Sequence, residues 1–230
     1  MTTTRLTRVQ QVERNRGLLL HAARETFLER GYTGATIDAI ADRAGFSKGV
    51  VYSQFAGKPD LFLALLERRI AERAEQNRRL CAGLAGLAGL DALLQANARL
   101  SEDGGDWSRL LIEFRVIAAR DPALNARYAA LHAQTLDHFT EAIADVLARA
   151  GLTSAYPPRA FAELIIAIDA GRVLERASGT SELRLDHLVD LLGRALVVVG
   201  SDEDSVAERP NPGGPDAHHN HSARLVPRTP

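Results

Sequence analysis

Apolar residues recur with a helical period along most of this chain, and glycine, proline and small polar residues punctuate them. Leu20, Ala23 and Phe27 share one face of a first helix, predicted from about Val12 to Arg30 with Gly31 as its end. Ile37, Ile40, Ala41 and Ala44 fall at i, i+3, i+4 and i+7, the inward face of a short second helix. Thr36 stands where its cap belongs, and Gly45 where it stops. Ser47 is placed to cap a third short helix whose inward residues, Val51 and Phe55, are four apart. Pro59 and Asp60 suit the first turn of a fourth helix, running to about Cys81 with Leu61, Leu65, Ile70 and Ala74 inward.

The stretch GLAGLAGL, residues 83–90, carries three glycines at period three. Each weakens a helix by about 1 kcal/mol relative to alanine. A loop or irregular start is therefore predicted there, with helix over 91–100 and a break at 102–106. Trp107, Leu110, Leu111, Phe114, Ile117 and Ala118 then form an apolar stripe. Asp121 and Pro122 open a helix to about Ala150, ended by Gly151. Pro157 and Pro158 introduce another, from about Arg159 to Ala177, and a last helix is expected from about Leu185 to Val199. From Ser201 onward five of the nine prolines occur with no apolar period, which predicts a disordered tail over 201–230.

The second and third helices carry the chemistry. Two short helices joined by a tight glycine-containing turn form a helix-turn-helix, whose second helix fits the DNA major groove. A cap at Ser47 leaves the first amides of that helix aimed outward, where a phosphate can accept them. Gly49 lets the helix backbone come close to a groove, and Lys48 can reach a phosphate or a guanine edge. Ser53 and Gln54 are placed to read bases, since glutamine can pair with adenine through two hydrogen bonds. Arg5, Arg8, Arg14 and Arg16 make a basic arm, either a frayed solvated terminus or a phosphate or minor-groove contact.

Residues 18–67, LLLHAARETFLERGYTGATIDAIADRAGFSKGVVYSQFAGKPDLFLALLE, resemble the N-terminal domain of the TetR family of bacterial transcriptional regulators. The shared residues are Phe27, Gly31, Tyr32, Thr36, Ile40, Ala41, Ala44, Gly45, Ser47, Lys48, Gly49, Tyr52, Phe55, Lys58 and Leu61. The resemblance implies an all-α homodimeric repressor, released from a palindromic operator by a small ligand. Under it, residues 1–60 are a three-helix DNA-binding domain and 61–200 a larger helical ligand-binding and dimerisation domain. Tyr52 and Lys58 match family positions that contact phosphates, and Thr36 matches one at the start of the preceding helix. Val50 departs from the hydroxyl often found there and is left a thymine methyl to touch. The resemblance also implies a dimer four-helix bundle built from the last two helices.

Bulk properties fit this frame. With 46% hydrophobic and 25% charged residues the chain reads as an ordinary soluble globule. It has no apolar run long enough for a transmembrane span, no signal-peptide core, and one cysteine, Cys81, so a cytoplasmic protein is expected. Residues 1–58 hold nine Lys or Arg against five Asp or Glu, whereas the rest is mildly acidic. That asymmetry suggests a localised contact with a polyanion, double-stranded DNA in this frame. The only two lysines, Lys48 and Lys58, both fall in the basic module.

For dimerisation the candidates are Leu164, Ile166, Asp169, Leu188, Leu192 and Leu196, on two apolar stripes that serve either a self-complementary interface or the monomer core. For a ligand they are Trp107, Leu111, Phe114 and Arg115 facing Tyr128, His132 and Phe139, which line an apolar pocket or are plain core. No cofactor is expected. An enzyme is disfavoured, because no nucleophile elbow, phosphate loop, metalloprotease helix or dinucleotide fingerprint occurs. A helical binding module that has lost DNA affinity has no need of Lys48, Tyr52 and Lys58. His218, His219 and His221 are read as part of the tail rather than as a metal site, and Cys81 as a small buried hydrophobe.

Overall fold

The structure, a computed structural model, describes residues 7–102, 105–179 and 182–199. Helix α1 (Arg8–Gly34) starts earlier than the apolar period suggests, because Thr7 and Gln10 form a capping box. The Thr7 hydroxyl accepts from the Gln10 amide at 3.2 Å, and the Gln10 carboxamide accepts from the Thr7 amide at 2.9 Å. Arg8, Arg14 and Arg16 therefore ride on a helix rather than a loose arm; Arg5 lies outside the described residues. At Gly31, φ +68, the helix breaks before its last residues. Helices α2 (Ile37–Ala44) and α3 (Lys48–Tyr52) follow, then α4 (Lys58–Cys81), with Gly57 before it and Pro59 in its first turn.

The remaining helices are α5 (Gly86–Glu102), α6 (Gly105–Ala118), α7 (Pro122–Ala148), α8 (Pro158–Ala177) and α9 (Leu185–Gly193). Asp121 caps α7 through two amides, those of Ala123 and Leu124, at 3.0 and 3.1 Å. The last helix expected over 185–199 is cut short. The apolar, β-branched run after it forms strand β2 (Leu196–Val198), antiparallel to β1 (Leu152–Ser154), with Leu152 opposite Val198. The architecture remains all-α apart from this small ribbon. The tail expected to be disordered, with its histidine cluster, lies outside the described residues.

Two buried clusters hold the described part together. The first gathers α1, α2 and α3 against α4, α6 and the start of α7, and so spans the boundary expected near residue 60. Its middle is aromatic. Phe62, fully buried, stacks on Phe114 at 4.2 Å between centroids and meets Phe27 edge-on at 5.2 Å and Tyr32 at 5.3 Å. The second packs α5, α7, α8 and α9 around Phe139, Phe161 and Ile165. Arg149, just after α7, ties the end of that helix to the turn between α4 and α5 by donating to the carbonyls of Cys81 and Leu84 at 2.6 and 3.0 Å.

Helix α5 starts inside the glycine-rich stretch, against expectation. Gly89 explains why: a Cβ built on it meets Val146 Cγ1 of α7 at 2.3 Å. Close approach of the two helices, which buries Leu90 and Leu93, outweighs glycine's weak helix propensity. Gly89→Ala should therefore destabilise the fold by about 1–2 kcal/mol in thermal unfolding, although alanine is the better helix former. Combining it with Val146→Ala should cost less than the sum of the two single changes.

Candidate nucleic-acid interface

Helix α2 is held at both ends. Thr36 Oγ1 accepts from the Ala39 amide at 3.2 Å, and Gly45 ends the helix at φ +72. Nothing lies within 4 Å of a Cβ at Gly45, so the left-handed backbone alone asks for glycine there. Arg43 grips Glu29 of α1 through both guanidinium nitrogens, at 2.7 and 2.5 Å, which fixes α2 on α1. Val51 and Phe55, both buried, seat α3 on the same core, and Arg16 lies over the Phe55 ring at 4.5 Å.

Ser47 occupies the cap position of α3, but its side chain makes no capping bond, so both the hydroxyl and the first amides remain available. Ser47, Lys48, Gly49 and Tyr52 are exposed together, Tyr52 to 56%. The Lys48 ammonium sits 2.5 Å from Asp38 of α2, an open surface pair. A Cβ on Gly49 would meet only Ser47 Oγ, at 3.7 Å, so nothing inside the protein requires that position to be bare.

Other expected contacts stand differently. Val50 is half-buried and packs against the first core. Ser53 is exposed but follows the end of α3, and its hydroxyl donates to the Val50 carbonyl at 2.8 Å. Gln54 does not project: it is half-buried, with Oε1 enclosed and accepting from nothing. Lys58 is turned inward as well. Its ammonium donates to the carbonyls of Tyr32, Thr33 and Ala35 at 2.9, 3.3 and 3.0 Å and lies 4.7 Å from the Tyr32 ring centroid. Those carbonyls lose their helical partners at the Gly31 break, and the ammonium replaces them.

Glu113 of α6 completes the joint from the other side. Its carboxylate accepts from the Tyr32 amide at 2.9 Å, the Thr33 amide at 2.9 Å and the Thr33 hydroxyl at 2.6 Å. A Cβ at Gly31 would come within 2.9 Å of Glu113 Oε2. Burial alone would raise the Glu113 carboxyl, but the Thr33 and Tyr32 bonds and the nearby Lys58 bring it below its ordinary value. Lys58 is lowered by burial against the attraction of Glu113. Asp60 adds a neighbouring tie, accepting from the Ala56 amide at 3.1 Å and from Arg127 of α7 at 2.5 Å.

A cavity of about 210 Å³ opens below the joint. Arg69, Arg73 and Asn77 of α4 face it, with Trp107 and Leu111 of α6, Phe139 of α7, Ile166 and Asp169 of α8, and Leu188 of α9. Of the expected ligand residues, Trp107, Leu111 and Phe139 line it. Phe114 and Tyr128 are core aromatics instead; Arg115 lies over Tyr128 and His132 stacks on it at 5.8 Å, so none of these four reaches the cavity.

The expected dimer residues separate in the same way. Leu188 and Leu192 are buried in the second core and Leu196 lies in β2, because α9 turns its apolar stripe inward. Ile166 and Asp169 line the cavity, and Asp169 pairs within its own helix with Arg172 at 3.3 Å. Leu164 alone of the six is exposed. Ala167, Gly171 and Leu174 continue an exposed apolar face of α8, and Leu191 of α9 is exposed as well.

Residues 19–65 match the family model of bacterial regulatory proteins of the tetR family. The chain is 33% identical over 157 residues to the HTH-type transcriptional activator FasR of Mycolicibacterium smegmatis, covering 68% of this chain and 69% of that protein. The chain belongs to the TetR family. A TetR-family repressor, AcnR of Corynebacterium efficiens, is 28% identical over 181 residues, covering 76% of this chain and 88% of its own. Among solved structures, FadR of Bacillus subtilis in complex with stearoyl-CoA superposes with a TM-score of 0.61 at 16% identity, over 77% of this chain and 95% of that one. That likeness shows the shared fold. As a TetR-family member the chain is a DNA-binding transcriptional regulator of the helix-turn-helix class.

Among the described residues no helix is long and apolar enough to cross a membrane, and no cluster of three His, Cys, Asp or Glu groups could hold a metal ion. Arg69, Arg73, Asn77 and Glu113 escaped the sequence reading. The first three repeat at i, i+4 and i+8 on α4, a period that was legible beside Leu66 and Ile70. Glu113 gave no such signal, since its partners lie eighty residues away. Lys58→Met should cost about 2–3 kcal/mol in thermal unfolding through the stranded carbonyls. At a temperature where the variant is folded, it should leave the salt dependence of DNA binding unchanged. Because Glu113 titrates lower in the fold than in the unfolded chain, its stabilisation is complete above the ordinary carboxylate range. It is lost as the pH falls through the lowered value.

Proposed function

We propose that this regulator acts as a homodimer on an inverted-repeat operator and leaves it when a small molecule fills the cavity between α4, α6, α7 and α8. The observation that carries the DNA half is the open face of α3. Ser47 and the first amides, Lys48 and Tyr52 are exposed side by side, and Gly49 is bare for no internal reason. Phosphates accept from the amides, the lysine and the tyrosine hydroxyl, while Gly49 admits the groove wall. The Lys48–Asp38 pair is open to solvent and weak enough to exchange for a phosphate. Thr36 stands at the edge of this surface, exposed, its hydroxyl oxygen accepting the cap bond of α2 while its O–H is left to donate. Such a protein works in the cytoplasm, where bacterial DNA lies.

One short helix covers half a site, so two copies roughly 34–36 Å apart are required. The face formed by Leu164, Ala167, Gly171 and Leu174, spaced i, i+3, i+7 and i+10, supports a dimer through α8. Its small residues allow two helices to approach closely. Three of the residues first expected there, Leu188, Leu192 and Leu196, belong to the fold of each subunit instead.

Ligand release is supported by α4, whose start holds the helix-turn-helix through Lys58 and whose middle lines the cavity. Helix α6 repeats the arrangement with Glu113 and Trp107. A ligand in the cavity is in keeping with the fold neighbour FadR, whose structure holds stearoyl-CoA. To release DNA it must bind the DNA-incompetent state more tightly. Moving the population from 1:99 to 99:1 takes about 5.5 kcal/mol of differential affinity.

Selection of bound DNA from a random pool should return an inverted repeat, and failure to retain any duplex at low salt would overturn the reading. On that repeat, Lys48→Ala and Tyr52→Ala should each weaken binding by about tenfold or more with unchanged thermal stability. The Lys48 variant should also lower the salt slope by about two, one phosphate per subunit. Leu164→Glu combined with Leu174→Glu should give folded monomers by light scattering; dimers persisting in that variant would move the interface elsewhere.

A further inference from the structure

Arg69 and Arg73 stand one helical turn apart on α4, and both face the same largely apolar cavity. Among the described residues neither forms an ion pair. Arg69 lies over Trp107, its guanidinium carbon 4.5 Å from the ring centroid. Arg73 donates Nε to Asn97 at 2.9 Å and Nη1 to Gln76 at 3.3 Å, whereas its Nη2 is buried and donates to nothing. One turn further on, the carboxamide oxygen of Asn77, a residue 4% exposed, is likewise buried without a partner. Burial, and then the nearby Arg69 charge, pull the Arg73 guanidinium down to about 10.

Two like charges beside an apolar cavity, one of them with a buried donor left unbonded, are a costly arrangement that a bound anion would relieve. The other charged groups on the walls fix the polarity. Asp169, on α8, is held by Arg172 at 3.3 Å, and His138 of α7 lies 3.9 Å from Glu141. The α8 carboxylate is therefore already paired within its own helix, and the uncompensated charge on the walls is that of α4. The volume, about 210 Å³, exceeds the about 150 Å³ that accommodates benzene. It has room for an apolar body as well as a head group.

We propose that the effector is an amphipathic anion, its carboxylate or phosphate head bound to Arg73 Nη2 with Arg69 as the second cation. Its apolar body lies between Trp107, Leu111, Phe139 and Ile166. This rests on the cavity being the effector site, and adds the chemical class that the site selects. Guanidinium groups suit such heads because their fork meets two oxygens at once.

The test is to titrate the full chain with decanoate, decyl phosphate, decanol and decylamine below their micellar concentrations. Binding is followed by emission of Trp107, the only tryptophan, and by the shift in Tm. One or both anions should bind at least about tenfold more tightly than decanol, with decylamine weakest; which anion leads tells a carboxylate site from a phosphate site. Arg73→Met should bring the anions down to the affinity of decanol. In the absence of ligand its Tm should stay unchanged or rise, because an uncompensated buried charge has gone; a merely structural arginine would lower it. Arg73→Gln replaces it if circular dichroism shows the methionine variant unfolded. Decanol binding as well as the anions overturns the anion assignment and leaves the cavity as an effector site. A chain that responds to none of the four overturns both.

Discussion

Phe62 is where the two parts of this chain become one structure. Its ring is shared by Phe27 and Tyr32 from the helix-turn-helix side and by Phe114 and Trp107 from the side of the cavity. Aromatic pairs of this kind contribute about 0.5–1.5 kcal/mol each beyond the area they bury. Their larger effect is geometric. A close-packed ring cluster transmits displacement rather than absorbing it, so α1, α4 and α6 cannot shift independently there.

The polar groups around that cluster work on the backbone that the Gly31 break leaves without helical partners. The amides of Tyr32 and Thr33 turn to the Glu113 carboxylate, and the carbonyls of Tyr32, Thr33 and Ala35 to the Lys58 ammonium. Each charged side chain comes from a helix that also lines the cavity. The segment leading into α2 therefore has its hydrogen bonds supplied by the very elements a ligand would touch. Rearranging α4 against α6 means giving up bonds to charged groups, which makes discrete alternatives more favourable than gradual ones.

Much of this was legible in the residues. Thr36, Gly45 and Val51 mark α2, the turn and α3 through rules that act within a few positions, although α3 ends at Tyr52, before Phe55, and Ser47 makes no capping bond. What the residues could not give was set by partners distant in sequence. Lys58 carries the same charge whether it meets a phosphate or three carbonyls, and only the Gly31 break decides which. Gly89 looked like a helix breaker until Val146 stood opposite it. Leu188 and Leu192 have a stripe equally good for a core or an interface, and the short α9 turned it inward. Arg69 and Arg73 drew no attention in the sequence, because the cavity they face is closed by other helices.

The scarcity of lysine has a chemical consequence. Of the two side-chain amines in the whole sequence, Lys58 is tied up in the fold by three acceptors, whereas Lys48 is 58% exposed on the open face of α3. An acyl donor reacting with the native protein would therefore modify this surface at one lysine side chain, cancelling its charge and lengthening it. The arginines elsewhere are inert to the same reagent, so a regulator built this way carries a single acylation-sensitive side-chain amine, on the open face of α3.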